Sequence, residues 1–106
     1  MKEEATALFK EEKYPEAIEK FNECVEIDPL NANFNATLLL NISIAYEKLK
    51  NNVEKLKALN QAIKYNKKYA KALVRRGDHY LQQEEYMEAV KDYAEAIEHD
   101  PSGFNV

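Results

Sequence analysis

The apolar positions of this chain recur at helical spacing, and one arrangement of them comes round three times. Ala5 and Leu8, then Ala17, Phe21 and Cys24, fall among charged residues in the rhythm of amphipathic helices. The set returns 72 residues later as Gly77, Tyr80, Ala89, Tyr93 and Ala96, with Pro29 matched by Pro101. A weaker copy lies between them: Ser43, Tyr46, Lys55, Leu59 and Ala62. Its offset is 38 from the first copy and 34 to the third, so four extra residues enter near positions 31–35. No segment reads as a strand.

Each unit reads as two helices, giving six at about 2–12, 15–27, 33–50, 53–65, 69–83 and 86–99. Small residues (Ala5, Ser43, Gly77, Ala17, Ala89) stand where paired helices must approach closely, and larger ones three or four positions away fill the space between. Pro15 falls in a first helical turn, where proline is tolerated, while Asp28-Pro29 and Asp100-Pro101 close second helices. The insertion lengthens the third helix by about one turn. Self-similarity at a period near 34 residues predicts stacked helical hairpins. The expected fold is all-α: six helices in three helix-turn-helix hairpins, forming a right-handed solenoid. Its concave groove is lined by the first helix of each pair.

Composition narrows the function. A length of 106 residues allows one domain over 1–106, with repeats at about 2–30, 33–67 and 69–101, and a piece of a longer protein is expected. A net charge of −4 without a Lys/Arg block argues against a nucleic-acid partner. No apolar stretch approaches a membrane span, and the start lacks a signal-peptide core, so a cytoplasmic, membrane-free protein is expected. The lone cysteine, Cys24, reads as a small core residue. His79 and His99 share no motif, and two glycines build no phosphate loop, so no catalytic, metal or cofactor site is expected. The acidic residues Glu84, Glu85, Glu88, Asp92 and Glu95 read as a solvated outer face.

The groove-lining helices offer a short set of polar residues: Lys2 and Thr6, then Asn41, then Lys71 and Arg75. Lys71 and Arg75 are four apart and share a helix face, about 6 Å from each other. Lys71 also falls in the first turn of its helix, where the macrodipole disfavours a cation. Two readings stand side by side: a site awaiting an anionic ligand, and a solvated basic face.

The repeated residues resemble the tetratricopeptide repeat over nearly the whole chain. Lys55 departs from that pattern, since alanine is usual there. Either its alkyl stem lies along the helix pair with the amine in water, or packing is looser. Within the family, Lys2-Glu-Glu-Ala-Thr6, Asn41-Ile-Ser43 and Lys71-Ala-Leu-Val-Arg75 are similar to the carboxylate clamp of co-chaperones, with the greatest likeness to the DnaJ type. That resemblance implies a function: binding the C-terminal tail, Glu-Glu-Val-Asp, of the 70-kDa and 90-kDa heat-shock chaperones. Lys2 and Lys71 would supply ammonium donors, Asn41 an amide, and Arg75 a planar fork for a carboxylate. Thr6 stands where the family has asparagine, a change worth about 1 kcal/mol for one hydrogen bond. Phe9 and Ile44 are candidates for a pocket around the ligand's valine, with core packing the alternative. His79 extends the Lys71–Arg75 face by a turn and is a candidate for the groove edge, with solvated surface the alternative.

A reading from another class is a structural scaffold with a decayed clamp. The last helix lacks a following cap, and its face around Tyr86, Val90, Tyr93 and Ile97 would then drive homodimerisation.

Overall fold

The computed structural model describes residues 2–27 and 30–100. Six helices follow in order: α1 (Lys2–Lys10), α2 (Tyr14–Ile27), α3 (Ala32–Lys48), α4 (Asn52–Tyr65), α5 (Ala70–Gln82) and α6 (Tyr86–His99). Among the described residues there is no strand. Each helix packs on the next along the chain, as stacked hairpins require. α3 has 17 residues against 13 in α5, so the four inserted residues appear as one added turn.

The residues that recur in sequence recur in burial. Ala5 is 0% exposed, Ser43 1%, Ala17 0% and Ala89 2%, while Phe21 and Leu59 are each 1% exposed. Gly77 is also buried, and the ring of Tyr93 crosses directly over it. Ser43 satisfies its own hydroxyl by donating to the Leu40 carbonyl at 2.6 Å, which makes it as acceptable in the core as an alanine.

The three hairpin turns share a geometry that no residue type announces. Glu12, Lys50 and Glu84 adopt positive φ values of 63°, 60° and 62°. The next residue donates its N–H five positions back in every case: Lys13 to Leu8 (2.9 Å), Asn51 to Tyr46 (2.9 Å) and Glu85 to Tyr80 (2.8 Å). A second bond runs from Glu12 to Phe9, from Lys50 to Glu47 and from Glu84 to Leu81. These are Schellman closures, which use a left-handed residue to satisfy the last helical carbonyls. α3 and α4 also start on side-chain caps, Asn31 Oδ1 accepting from the Phe34 N–H and Asn51 Oδ1 from the Glu54 N–H.

Two surface expectations need correcting. Lys55 does not place its amine in water: its side chain is 5% exposed, with Nζ 4.0 Å from Glu47 Oε1. Asp92 does not belong to a solvated acidic face. It is 4% exposed and accepts two hydrogen bonds from Arg76, at 2.7 and 2.8 Å. The third nitrogen of Arg76 donates to Asn60 Oδ1 at 3.1 Å, so one guanidinium ties α4, α5 and α6 together. A buried carboxylate needs such a partner, and the bidentate fork supplies it.

Candidate functional site

A groove of about 770 Å³ opens between α3 and α5. It is lined by Asn41 and Ile44 from α3 and by Lys71, Val74, Arg75 and Asp78 from α5. The helical period brings these together. Asn41 and Ile44 are three apart, and 71, 74, 75 and 78 step down one face of α5. Ala72 and Leu73, on the opposite side, are fully buried and anchor that face. The groove therefore carries an amide, an ammonium and a guanidinium beside an aliphatic wall, with the carboxylates of Asp78 and Asp100 also on its lining. The donors and the wall suit a carboxylate attached to an apolar residue.

Arg75 is not free of acidic neighbours. Arg75 Nη1 lies 3.7 Å from Glu47 Oε2, with both side chains a little over two-fifths exposed. Asp78 stands one turn beyond Arg75 on the groove wall, and its carboxylate accepts the Tyr93 hydroxyl. Burial and that hydrogen bond together push the Tyr93 phenol up to about 12. Neither Glu47 nor Asp78 was among the residues anticipated from sequence. Asp78 was reachable, being seven from Lys71 and thus two full turns along the same face. Glu47 carries no such signal, because its role depends on where α3 and α5 cross.

The other anticipated residues divide. Thr6 and Phe9 lie on α1 and do not line the groove between α3 and α5. Phe9 is partly buried, packs against the core and meets Tyr14 edge-on, ring centroids 5.4 Å apart, the contacts of the core alternative. Ile44 does both, touching the core and lining the groove. The side chain of Lys2 lies outside the described residues.

His79 is neither at the groove edge nor solvated. It is 6% exposed, edge-on to Tyr80 at 5.6 Å, with Nδ1 lacking a hydrogen-bond partner. Burial, and then the charge of Lys55, hold its pKa below the usual histidine value, opposed by Glu85. The reason is angular. Two steps of four residues from Lys71 overshoot two helical turns by about 80°, which swings His79 off the groove and into the hairpin.

The sequence pattern of the tetratricopeptide repeat family matches residues 70–102, which include the hairpin of α5 and α6. Human DnaJ homolog subfamily C member 7 is 37% identical over 92 residues, covering 87% of this chain and 19% of that protein. Human RNA polymerase II-associated protein 3 is 34% identical over 104 residues, covering 98% of this chain and 15% of that protein. The chain thus spans a fifth or less of the length of these curated relatives. One similar solved structure is the first TPR of Spaghetti (RPAP3) bound to the HSP90 peptide SRMEEVD. It is 34% identical with a TM-score of 0.82, covering 97% of this chain and 79% of that one. Another is the second TPR domain of human RPAP3 in complex with the HSP70 peptide SGPTIEEVD. It is 32% identical with a TM-score of 0.80, covering 95% and 81%. No helix among the described residues is long and apolar enough to cross a membrane.

Proposed function

Because this chain belongs to the tetratricopeptide repeat family, we propose that it is a co-chaperone docking domain whose groove binds the free C-terminal tail of heat-shock chaperones. The single observation that carries this reading is the convergence of Asn41, Lys71 and Arg75 on one groove. The peptides in two similar solved structures, both ending EEVD, support it. The terminal aspartate of such a tail brings two carboxylates, one from the side chain and one from the chain end. Arg75 grips one through its planar fork, Lys71 and Asn41 complete the contacts, and Ile44 and Val74 pack against the valine before it. Lys2 and Thr6 are the contacts carried over from α1. We read residues 1–106 as one domain of three repeats, acting in the cytoplasm as an interaction module and catalysing nothing.

Hydrogen bonds to charged groups contribute roughly 1.5–3 kcal/mol each before ordering costs, so a short tail held by a few of them binds in the micromolar range. The test is a titration with a fluorescent peptide ending Met-Glu-Glu-Val-Asp, alongside the same peptide amidated at its C-terminus. Micromolar binding lost on amidation and in Arg75→Ala is the expected result. Equal binding of both peptides would reject the clamp. Thr6→Asn should tighten binding about five-fold, the worth of one recovered hydrogen bond.

A scaffold reading rests on α6, where Tyr86, Met87, Val90 and Ile97 are 58%, 83%, 65% and 48% exposed; Tyr93, expected on the same face, instead lays its ring over Gly77 and hydrogen-bonds Asp78, so it belongs to the hairpin. This reading predicts self-association that is insensitive to salt, whereas clamp binding weakens with ionic strength. A strict monomer in sedimentation at high concentration would reject it.

A further inference from the structure

Glu47 sits where the groove meets the core, and its two carboxylate oxygens face two different cations. Oε2 lies 3.7 Å from Arg75 Nη1, and Oε1 lies 4.0 Å from Lys55 Nζ. The two cations live in different surroundings. Arg75 is 42% exposed and opens onto the groove, while Lys55 is 5% exposed. A buried ammonium requires a counter-charge, and Glu47 provides one. The space that joins them is a cavity of about 20 Å³ lined by Ser43, Glu47, Lys55, Leu59, Arg75 and Asp78. Such a volume takes about one water molecule, so a ligand carboxylate in the groove reaches Arg75 but not Lys55.

We propose that Glu47 is a built-in competitor for the groove, holding Arg75 when no ligand is bound, and that Lys55 sets the site's affinity by keeping Glu47 neutralised when Arg75 turns to a ligand carboxylate. This rests on the carboxylate-binding reading above and assigns its regulation to two residues that touch no ligand. Without Lys55, an arriving carboxylate would meet Arg75 committed to Glu47, and displacing it would leave Glu47 a bare like charge beside the ligand. With Lys55 in place, the exchange moves Glu47 from a shared pair to a private one. Lys55 and Glu47 are therefore positioning residues, acting through Arg75.

The prediction is a set of non-additive affinities for the Met-Glu-Glu-Val-Asp peptide, measured well below each variant's unfolding midpoint. A partly exposed ion pair corresponds to a two- to five-fold effect. Glu47→Gln should tighten binding by about that factor, and Lys55→Met should weaken it by a similar one. In the double variant the Lys55→Met penalty should vanish, leaving affinity close to that of Glu47→Gln alone. A Lys55 that acted only as a distant positive charge would show the same penalty in both backgrounds, and that result would overturn the proposal. The double variant removes the buried charge together with its partner, so where Glu47→Gln folds poorly the double variant is compared with the wild type directly and should bind two- to five-fold tighter. If the wild type binds and the double variant binds no tighter, this inference falls while the docking function stands. If only the Glu47 variants bind, the docking function of the wild type falls while Glu47 stands as the competitor for Arg75. If neither the wild type nor any variant binds, both fall.

Discussion

Replacing Glu84 with glycine should stabilise this protein, against the general tendency of glycine to weaken a helical chain. Glu84 stands at φ 62°, the left-handed position of the α5–α6 turn, with its side chain exposed and its N–H bonded to the Leu81 carbonyl. A side chain in that conformation costs roughly 1–2 kcal/mol because Cβ crowds the following carbonyl. Glycine removes the crowding, and its greater unfolded-chain freedom takes back about 0.5–1 kcal/mol. The net gain is about 0.5–1 kcal/mol, which for a domain of this size raises the midpoint by roughly 2–8 °C. Thermal unfolding followed by circular dichroism at 222 nm measures it. Glu84→Ala is the control: it keeps Cβ and loses no contact, so it should stay close to the wild type.

The same gain should appear at Glu12 and Lys50, which occupy equivalent places in the other two hairpins. The three turns share no partner, so the triple glycine variant should add to about 1.5–3 kcal/mol. Glu84→Gly melting at or below the wild type, with Glu84→Ala unchanged, would refute the reasoning. It would mean that the turns are held by something other than the closure bonds and their φ.

Three further outcomes follow from the packing. A Cβ at Gly77 would stand 2.9 Å from Tyr93 Cε1 and 3.1 Å from Cδ1; overpacking of about 1–3 kcal/mol outweighs the ~1 kcal/mol propensity of alanine, so Gly77→Ala should lower the urea midpoint, and should cease to do so in a Tyr93→Leu background. Arg76→Ala should cost about 3 kcal/mol by leaving Asp92 buried and unpaired, whereas Arg75→Ala, next in sequence but partly exposed, should cost under ~1 kcal/mol; equal midpoints for the two would contradict this. His79 has its folded pKa held below 6.5, so the unfolded chain binds the proton first as pH falls; stability should be full above about pH 6.5, decline below it, and decline less in His79→Gln, as urea midpoints between pH 5 and 7.5 would register.

Most of the fold was legible because it is written in burial. Ala17 and Ala89, Phe21 and Tyr93, and Cys24 and Ala96 announce the same hairpin twice, and the added turn of α3 follows from counting the residues between copies. The turns were not legible, although they are the most regular feature of the backbone. Glu12, Lys50 and Glu84 sit at one repeat position, and charged residues there say nothing of a left-handed φ, since the closure bonds hold whatever side chain is present. Asp92 and Lys55 were misplaced for a related reason. A charge in a sequence reads as solvent, and only the position of Arg76 or Glu47 across a helix interface makes burial tolerable.

The candidate site shows where stepping by four residues succeeds and where it fails. One step, from Lys71 to Arg75, strays about 40° from true alignment, which a long flexible side chain absorbs, and both residues line the groove. A second step reaches His79 with the error doubled, enough to turn a rigid ring from the groove into the core. Seven residues from Lys71 come within about 20° of two full turns, and that position holds Asp78, an acid. The groove is thus not the uniformly basic stripe that Lys71 and Arg75 suggest. Arg75 is paired with Glu47, and Asp78 and Asp100 line the same groove, so a carboxylate ligand must displace one resident carboxylate and approach two others rather than merely find positive charge. That competition works through short contacts, which favours a ligand offering two carboxylates on one residue over a single diffuse negative charge.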